Sequence, residues 1–468
     1  MKSAYRLAGY FFTIFTLASC AGPSPFVRTP TSLPASWKNA AGFPTAAPTR
    51  DLSRWWQRFN DPTLSSLISQ ALRENPDLAS ASARIREARA RRTAEKASLF
   101  PTLGGSASTN SRATNPSSGS SFENTSYSAN LDASWEIDLF GRQRSLIQAA
   151  AANLGTVEEN YHSAQATLAS EIAIAYTDLR ATQAGLEIVR RNIATREQTS
   201  KLATWRQQAG ESDSLEPNQA LSSLEQARAA IPSLEQQAAR SRNLLTLLCG
   251  RHPGSLDALL AGNKRPIPVP PRTLAIGIPA DTVRQRPDVR AAGYSLLAAA
   301  ANTRAADALR YPSLNLSGTL GLSSLTSSKL FSPQTATAGA IAGIASPIFD
   351  GGRIRANIQA NDAAEEQAYH AYRSTVLTAL SETEDALIAC RRTAERLAIL
   401  EKAAAAAREA DALARLRYQA GEIDFLIVLD AQRSLLSLEE SFLATQADRT
   451  TAYIQLYKAL GGGWSPRS

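Results

Sequence analysis

Residues able to bind metal or do covalent chemistry are few and scattered. His162, His252 and His370 lie far apart, with no Cys, His or Asp grouped around them at ligand spacing. No nucleophile stands beside a base, and there is no phosphate-cradling glycine loop or carboxylate pair set in a cleft. Asp and Glu are frequent, but they alternate with Lys and Arg along helical stretches. No catalytic site, metal or cofactor is therefore expected. Cys249 and Cys390 fall at apolar helical positions, which favours small buried residues over a bridge. Cys20 differs, because it closes an apolar run and is followed by a polar, Pro-rich stretch.

The element that positions Cys20 is an export signal over residues 1–19. Lys2 and Arg6 precede the run Leu7 to Leu17, which is too short to span a bilayer. Leu17-Ala18-Ser19-Cys20 resembles the lipobox of bacterial lipoproteins, which implies that Cys20 becomes the acylated first residue and that Ala21 directs it to the outer membrane. Each acyl methylene buried in lipid contributes about 0.8 kcal/mol, so several chains hold the terminus firmly. Residues 20–50 read as the lipidated tether. A net charge of +8 and a pI near 9.5 do not indicate nucleic acid, since the basic residues are spread along helix faces among acids.

The body of the chain is one unit written twice. Asn75-Pro76-Asp77 recurs as Arg286-Pro287-Asp288, Phe100-Pro101 as Tyr311-Pro312, Gly141-Arg142 as Gly352-Arg353, Ala209-Gly210 as Ala420-Gly421, and Gly250 as Gly461, every pair 211 positions apart. The first copy takes residues 51–250 and the second 279–461, with a Pro- and Gly-rich linker at 251–278 and a tail at 462–468.

Within each copy the hydrophobic period changes. From Ser126 to Leu139, Tyr127, Ala129, Leu131, Ala133, Trp135, Ile137 and Leu139 alternate with polar neighbours, and Leu314, Leu316, Leu320 and Leu322 repeat the pattern. Strands are predicted at about 101–110, 125–140, 312–322 and 337–349. A half-exposed soluble sheet gives the same alternation, and the lipid anchor tips the reading toward a membrane. There every backbone group must be paired, and the smallest single-chain barrels need about eight strands, so several chains must share one barrel. The helices predicted from Arg142 to about Gln208 and Arg353 to about Gln419 lack Pro, and roughly 65 residues span on the order of 100 Å. Leu168, Ile172, Ala175, Leu179, Leu186, Val189 and Ile193 step by threes and fours with one full step of seven, a coiled-coil seam. Return helices follow each Ala-Gly turn, and Pro232 is expected to kink the first.

At this point the chain resembles the TolC-like outer-membrane efflux factors, and within them the lipoprotein, NodT-type branch. The likeness rests on Cys20, Trp55-Trp56 with Phe59 and Asp61-Pro62, Asn75-Pro76-Asp77-Leu78, Trp135 to Arg142, Pro347 to Arg353, Tyr418 to Gly421 and Val428 to Arg433. It implies a mainly α fold with a membrane β part. Three copies of four strands would form a twelve-stranded β-barrel, continued by a twelve-helix periplasmic α-barrel. It also implies a homotrimer serving a tripartite pump, with a periplasmic adaptor and an inner-membrane transporter of the RND type, passing drugs or other small organic molecules outward. Leu426, Asp430 and Arg433, spaced by four and three on one helix face, would form the periplasmic gate. Gly210, Glu211, Gly421 and Glu422 at the hairpin tips near 210 and 421 would meet the adaptor. Ducts for type I protein secretion or metal efflux are alternatives within the family. A non-conducting lipid-anchored coiled-coil adaptor is the alternative outside it.

Overall fold

The computed structural model describes residues 33–40, 52–114, 122–262, 266–271 and 279–464. The signal segment 1–19 and Cys20 lie outside them. In chain order the helices are α1 (Pro62–Glu74), α2 (Pro76–Ala97), α3 (Arg142–Gln208), α4 (Leu215–Leu248), α5 (Asp257–Gly262), α6 (Pro279–Gln285), α7 (Pro287–Asp307), α8 (Arg353–Gln419) and α9 (Phe425–Ala459). The strands are β1 (Thr102–Thr114), β2 (Phe122–Ile137), β3 (Ser313–Ser324) and β4 (Ala336–Ala345). The chain divides into two compact units: Glu87–Gly155 with Ala292–Arg373, and Ser32–Arg86 with Thr156–Ala291 and Ser374–Ser468.

The first unit holds one antiparallel sheet in the order β1-β2-β3-β4, so its central pair joins the two copies of the repeat. Register decides what its faces are. Leu103 lies opposite Ala133, Gly105 opposite Leu131, Leu131 opposite Leu320, Trp135 opposite Leu316, and Leu314 opposite Ile344. The large apolar side chains of β1, β2 and β3, with Ile344 of β4, thus share one face, because side chains alternate with period two, while Ile341 of β4, opposite Ser317, lies on the other. The other face is hydroxyl-rich. There Thr319 Oγ1 donates to Asp132 Oδ1 at 2.7 Å, and Ser108 and Ser128 meet at 2.9 Å. Leu103, Leu131, Leu320 and Ile344 are all exposed. Among the described residues β1 and β4 each have a single partner strand.

Several strand ends differ from expectation: β1 runs on to Thr114 rather than 110, and β2 begins at Phe122 rather than 125. β2 stops at Ile137 rather than 140 because Asp138 turns to accept the backbone N–H groups of Gln143 and Arg144 at 3.2 and 3.0 Å, capping α3. β4 stops at Ala345 rather than 349, since Pro347 has no N–H to give and Asp350 caps α8 through Ile354 at 2.8 Å. At the start of the sheet Trp135 Nε1 donates to Leu99 O at 3.0 Å, and Phe140 stacks on Tyr311 at 4.8 Å.

The second unit is built on a core of Trp55, Leu64, Leu67, Ile68, Ile172, Tyr176, Leu179, Leu245 and Tyr457, all buried. Trp55 stacks on Tyr457 at 5.3 Å, so the tryptophan pair is a packing anchor. Asp61 caps α1 through Thr63 and Leu64 N–H, and its other oxygen accepts from the Tyr176 hydroxyl at 2.9 Å. One joint is built twice. Asn75 Nδ2 donates to Leu248 O at 2.9 Å at the end of α4, and Arg286 Nη1 donates to Ala459 O at 3.1 Å at the end of α9. Both return helices finish in a left-handed glycine, Gly250 and Gly461, each seated against the residues ahead of an X-Pro-Asp start.

The connecting stretches are packed. In the linker Leu256, Leu260 and Ile267 are buried and Pro268 O accepts from Thr450 Oγ1 at 2.7 Å. In the tether Trp37 is buried, and Lys38 and Asn39 donate backbone N–H groups to Glu384 at 2.6 and 3.0 Å. The tail docks at its start, with Gly463 N–H on Leu52 O at 2.9 Å and Trp464 stacked on His162. α4 runs through Pro232 without ending. Cys249 and Cys390 are free and buried, and burial pushes their thiols up to about 11 and about 12.

Candidate gate and hairpin tips

Each long helix ends in the same six-residue closure. Gly210 and Gly421 both sit at φ +77°, a conformation that favours glycine. Gly210 N–H bonds to Gln207 O and Glu211 N–H to Arg206 O; Gly421 bonds to Tyr418 O and Glu422 to Arg417 O in the same way. This is the Schellman closure, which satisfies carbonyls left open at a helix end. Glu211 and Glu422 are exposed and face the cations of their own closures, Arg206 at 3.5 Å and Arg417 at 3.8 Å. Exposed pairs of this kind contribute little stability, so these glutamates remain available at the tip surface.

A small core ties the tips together: Ala203 of α3, Ala220 of α4, Ala414 and Tyr418 of α8, and Phe425, Val428 and Leu429 of α9. Tyr418 is its hub. Its hydroxyl donates to Glu216 Oε2 at 2.9 Å and the Arg206 guanidinium lies 4.8 Å over its ring. Burial and the Glu216 carboxylate push this phenol up to about 12.

α9 has two faces at its start. Phe425, Val428, Leu429 and Gln432 point inward and are buried, while Leu426, 59% exposed, stands with exposed Asp430 and Arg433 on the other side. The three candidate gate residues are therefore presented on a helix whose back is fixed to the tip core. Their equivalents 211 positions earlier are Leu215, Gln219 and Ser222, so the charge belongs to the second hairpin alone.

Sequence reasoning missed two features here. One is an interhelix ion pair with its signs exchanged between copies: Arg228 Nη2 bonds to Glu197 at 2.7 Å across the first hairpin, and Arg408 Nε to Glu439 at 2.8 Å across the second. The positions map onto each other at the 211 offset, which was the available signal. The other is Gln432, whose Nε2 donates to Thr199 Oγ1 at 3.2 Å in a buried site. Among the described residues no group of three or more His, Cys, Asp or Glu is placed to hold a metal, and no helix is long and apolar enough to cross a membrane.

The model of the outer membrane efflux protein family matches residues 67–251 and again 278–462. The chain belongs to that family. This efflux protein is 32% identical to the toluene efflux pump outer membrane protein TtgF of Pseudomonas putida over 460 residues, covering 96% of this chain and 95% of the relative. It is 33% identical to the outer membrane protein OprJ of Pseudomonas aeruginosa, over 99% of this chain and 97% of that one. The solved outer-membrane channel OprN superposes with a TM-score of 0.89 at 32% identity, over 95% of this chain and all of that one. The two matched segments fall on the two copies of the repeat and are themselves 211 positions apart, 67 to 278 and 251 to 462. The chain is thus an outer-membrane component of an efflux pump, and its family and relatives are efflux channels rather than enzymes.

Proposed function

We propose that this efflux protein acts as a homotrimer with no catalytic site or cofactor, a passive duct for drugs or other small organic molecules. Three four-stranded sheets would close one twelve-stranded barrel, and the paired long helices would continue it as a twelve-helix tunnel. The observation that carries the reading is the register. It gathers the large apolar side chains of β1, β2 and β3, with Ile344 of β4, on one exposed face and leaves β1 and β4 with open edges among the described residues, which lipid tolerates only when another copy pairs them. TtgF supports an organic cargo, since its name is that of a toluene pump component.

Cys20 would carry the covalent lipid that keeps the N-terminus in the outer membrane. The tips at Gly210, Glu211, Gly421 and Glu422 would receive a periplasmic adaptor, and through it an inner-membrane transporter of the RND type. Leu426, Asp430 and Arg433 would close the pore at its periplasmic end, three copies of each meeting across a narrow aperture. The test is single-channel conductance of the purified lipidated protein in a planar bilayer, with its mass in mild detergent. A trimer with small, flickering conductance is expected; a monomer or dimer that never conducts would return the chain to a non-conducting anchored adaptor.

A further inference from the structure

Where the strands hand over to the long helices, a cavity of about 520 Å³ opens within the first unit, a size suited to a small organic molecule. Its strand residues Glu136, Ser313 and Ala345 belong to the hydroxyl-rich face, since Glu136 lies opposite Asn315 and Ser313 opposite Ala345. Ile137 closes it at the end of the ladder. The cavity therefore belongs to the side that water fills in a membrane duct, so what enters it is a solute rather than a lipid.

Two kinds of group meet there. Phe140 stacks on Tyr311 with ring centres 4.8 Å apart and planes 13° from parallel. Both rings remain about half exposed, a ledge that a third flat ring can extend. The first residues of the two long helices, Arg142 of α3 and Arg353 of α8, line the same cavity. Its acids are already engaged. Asp138 accepts from the Arg144 guanidinium at 3.0 Å while it caps α3, and Glu136 stands 3.7 Å from Arg142. Arg353 is exposed and forms no ion pair among the described residues, because the nearby Asp350 is turned to the backbone N–H groups of Gly352 and Ile354. One guanidinium is thus left over, planar and able to grip a carboxylate with two bonds. Arg142 and Arg353 are the same landmark of the repeat, but Phe140 and Tyr311 become Gly351 and Phe100 at the 211 offset, so the aromatic ledge is made once per chain.

We propose that this cavity is a resting site for aromatic carboxylates inside the duct, with Arg353 holding the acid and the Phe140–Tyr311 ledge holding the ring. Three copies set such sites around the wall of one barrel, so the duct delays and concentrates flat organic acids while solutes lacking either feature pass freely. The proposal rests on the duct reading above.

The experiment adds naphthoate to each side in turn of a planar bilayer that holds the full lipidated protein. Two solutes serve for comparison: cyclohexanecarboxylate keeps the charge without the ring, and naphthylmethanol keeps the ring without the charge. Only naphthoate is expected to reduce the current in the millimolar range. Arg353→Gln should raise the concentration needed for half block about tenfold, the scale of a charge-assisted contact, and Tyr311→Leu about fivefold, the scale of an aromatic stack. Arg310→Gln, the same loss of charge outside the cavity, should leave the block unchanged. If Tyr311→Leu does not assemble, Arg353→Gln, whose side chain is exposed, carries the test. Equal block by either comparison solute, or equal weakening by Arg310→Gln, reduces the effect to the general character of the wall and overturns the site. A channel that conducts and is not blocked by naphthoate overturns the site and leaves the duct standing. A protein that never conducts overturns the duct and the site with it.

Discussion

The amide of Asn75 serves two elements at once. Its oxygen accepts the N–H groups of Asp77 and Leu78 at the start of α2, and its nitrogen donates to Leu248 O at the end of α4. Asn75→Ala removes a helix cap and strands a carbonyl, so a loss of about 2 kcal/mol is expected in thermal or chaotrope unfolding of the detergent-solubilised protein. Asn75→Asp, which keeps the cap and loses the donor, should recover part of it; equal losses would mean that the cap contributes nothing. This residue was visible in the sequence as part of a repeated X-Pro-Asp motif, but its second bond was not, because that bond crosses 173 positions of chain. Gln432 was hidden for the same reason, with its partner 233 positions away. A polar side chain in an otherwise apolar stripe was the one local sign that something met it.

At the scale of elements, helices were readable and strand ends were not. α3 and α8 span Arg142–Gln208 and Arg353–Gln419, the bounds read from the sequence, because a left-handed glycine marks the far end of each. Strand ends depend on where Asp138 and Asp350 leave the ladder to cap a helix, a choice that alternation alone does not encode. Pairing between elements was also out of reach, as the exchanged ion pairs demonstrate. Glu197 with Arg228 and Arg408 with Glu439 satisfy each hairpin internally, whereas combining a helix of one hairpin with the mapped partner from the other sets acid against acid or base against base. Glu439→Arg should lower the unfolding temperature by the loss of roughly 0.5 kcal/mol plus a repulsion of similar size, and adding Arg408→Glu should restore it. An additive double variant would reduce the exchange to an accident of surface charge.

For the whole molecule, the decisive contact is the ladder between β2 and β3. Tyr127 to Ile137 pairs with Ser324 to Leu314, so the centre of the sheet is made from strands that belong to different copies of the repeat. A chain ending at Gly250 keeps β1, β2 and the first hairpin but has nothing for β2 to pair with on its second side. Such a fragment is expected to stay out of the outer membrane, as read by fractionation and protease access; stable insertion would mean that a two-stranded hairpin can complete a barrel by itself. The same ladder sets a timetable. Synthesis and export deliver the N-terminal copy first, and domains generally fold in that order. Between the emergence of Ile137 and that of Ser313, the apolar side of the first hairpin of strands waits in water beside helices that can already fold. The sheet therefore stays half-built until β3 and β4 have followed α3 and α4 out, and during that interval the nascent chain needs a chaperone's shelter more than it needs a bilayer.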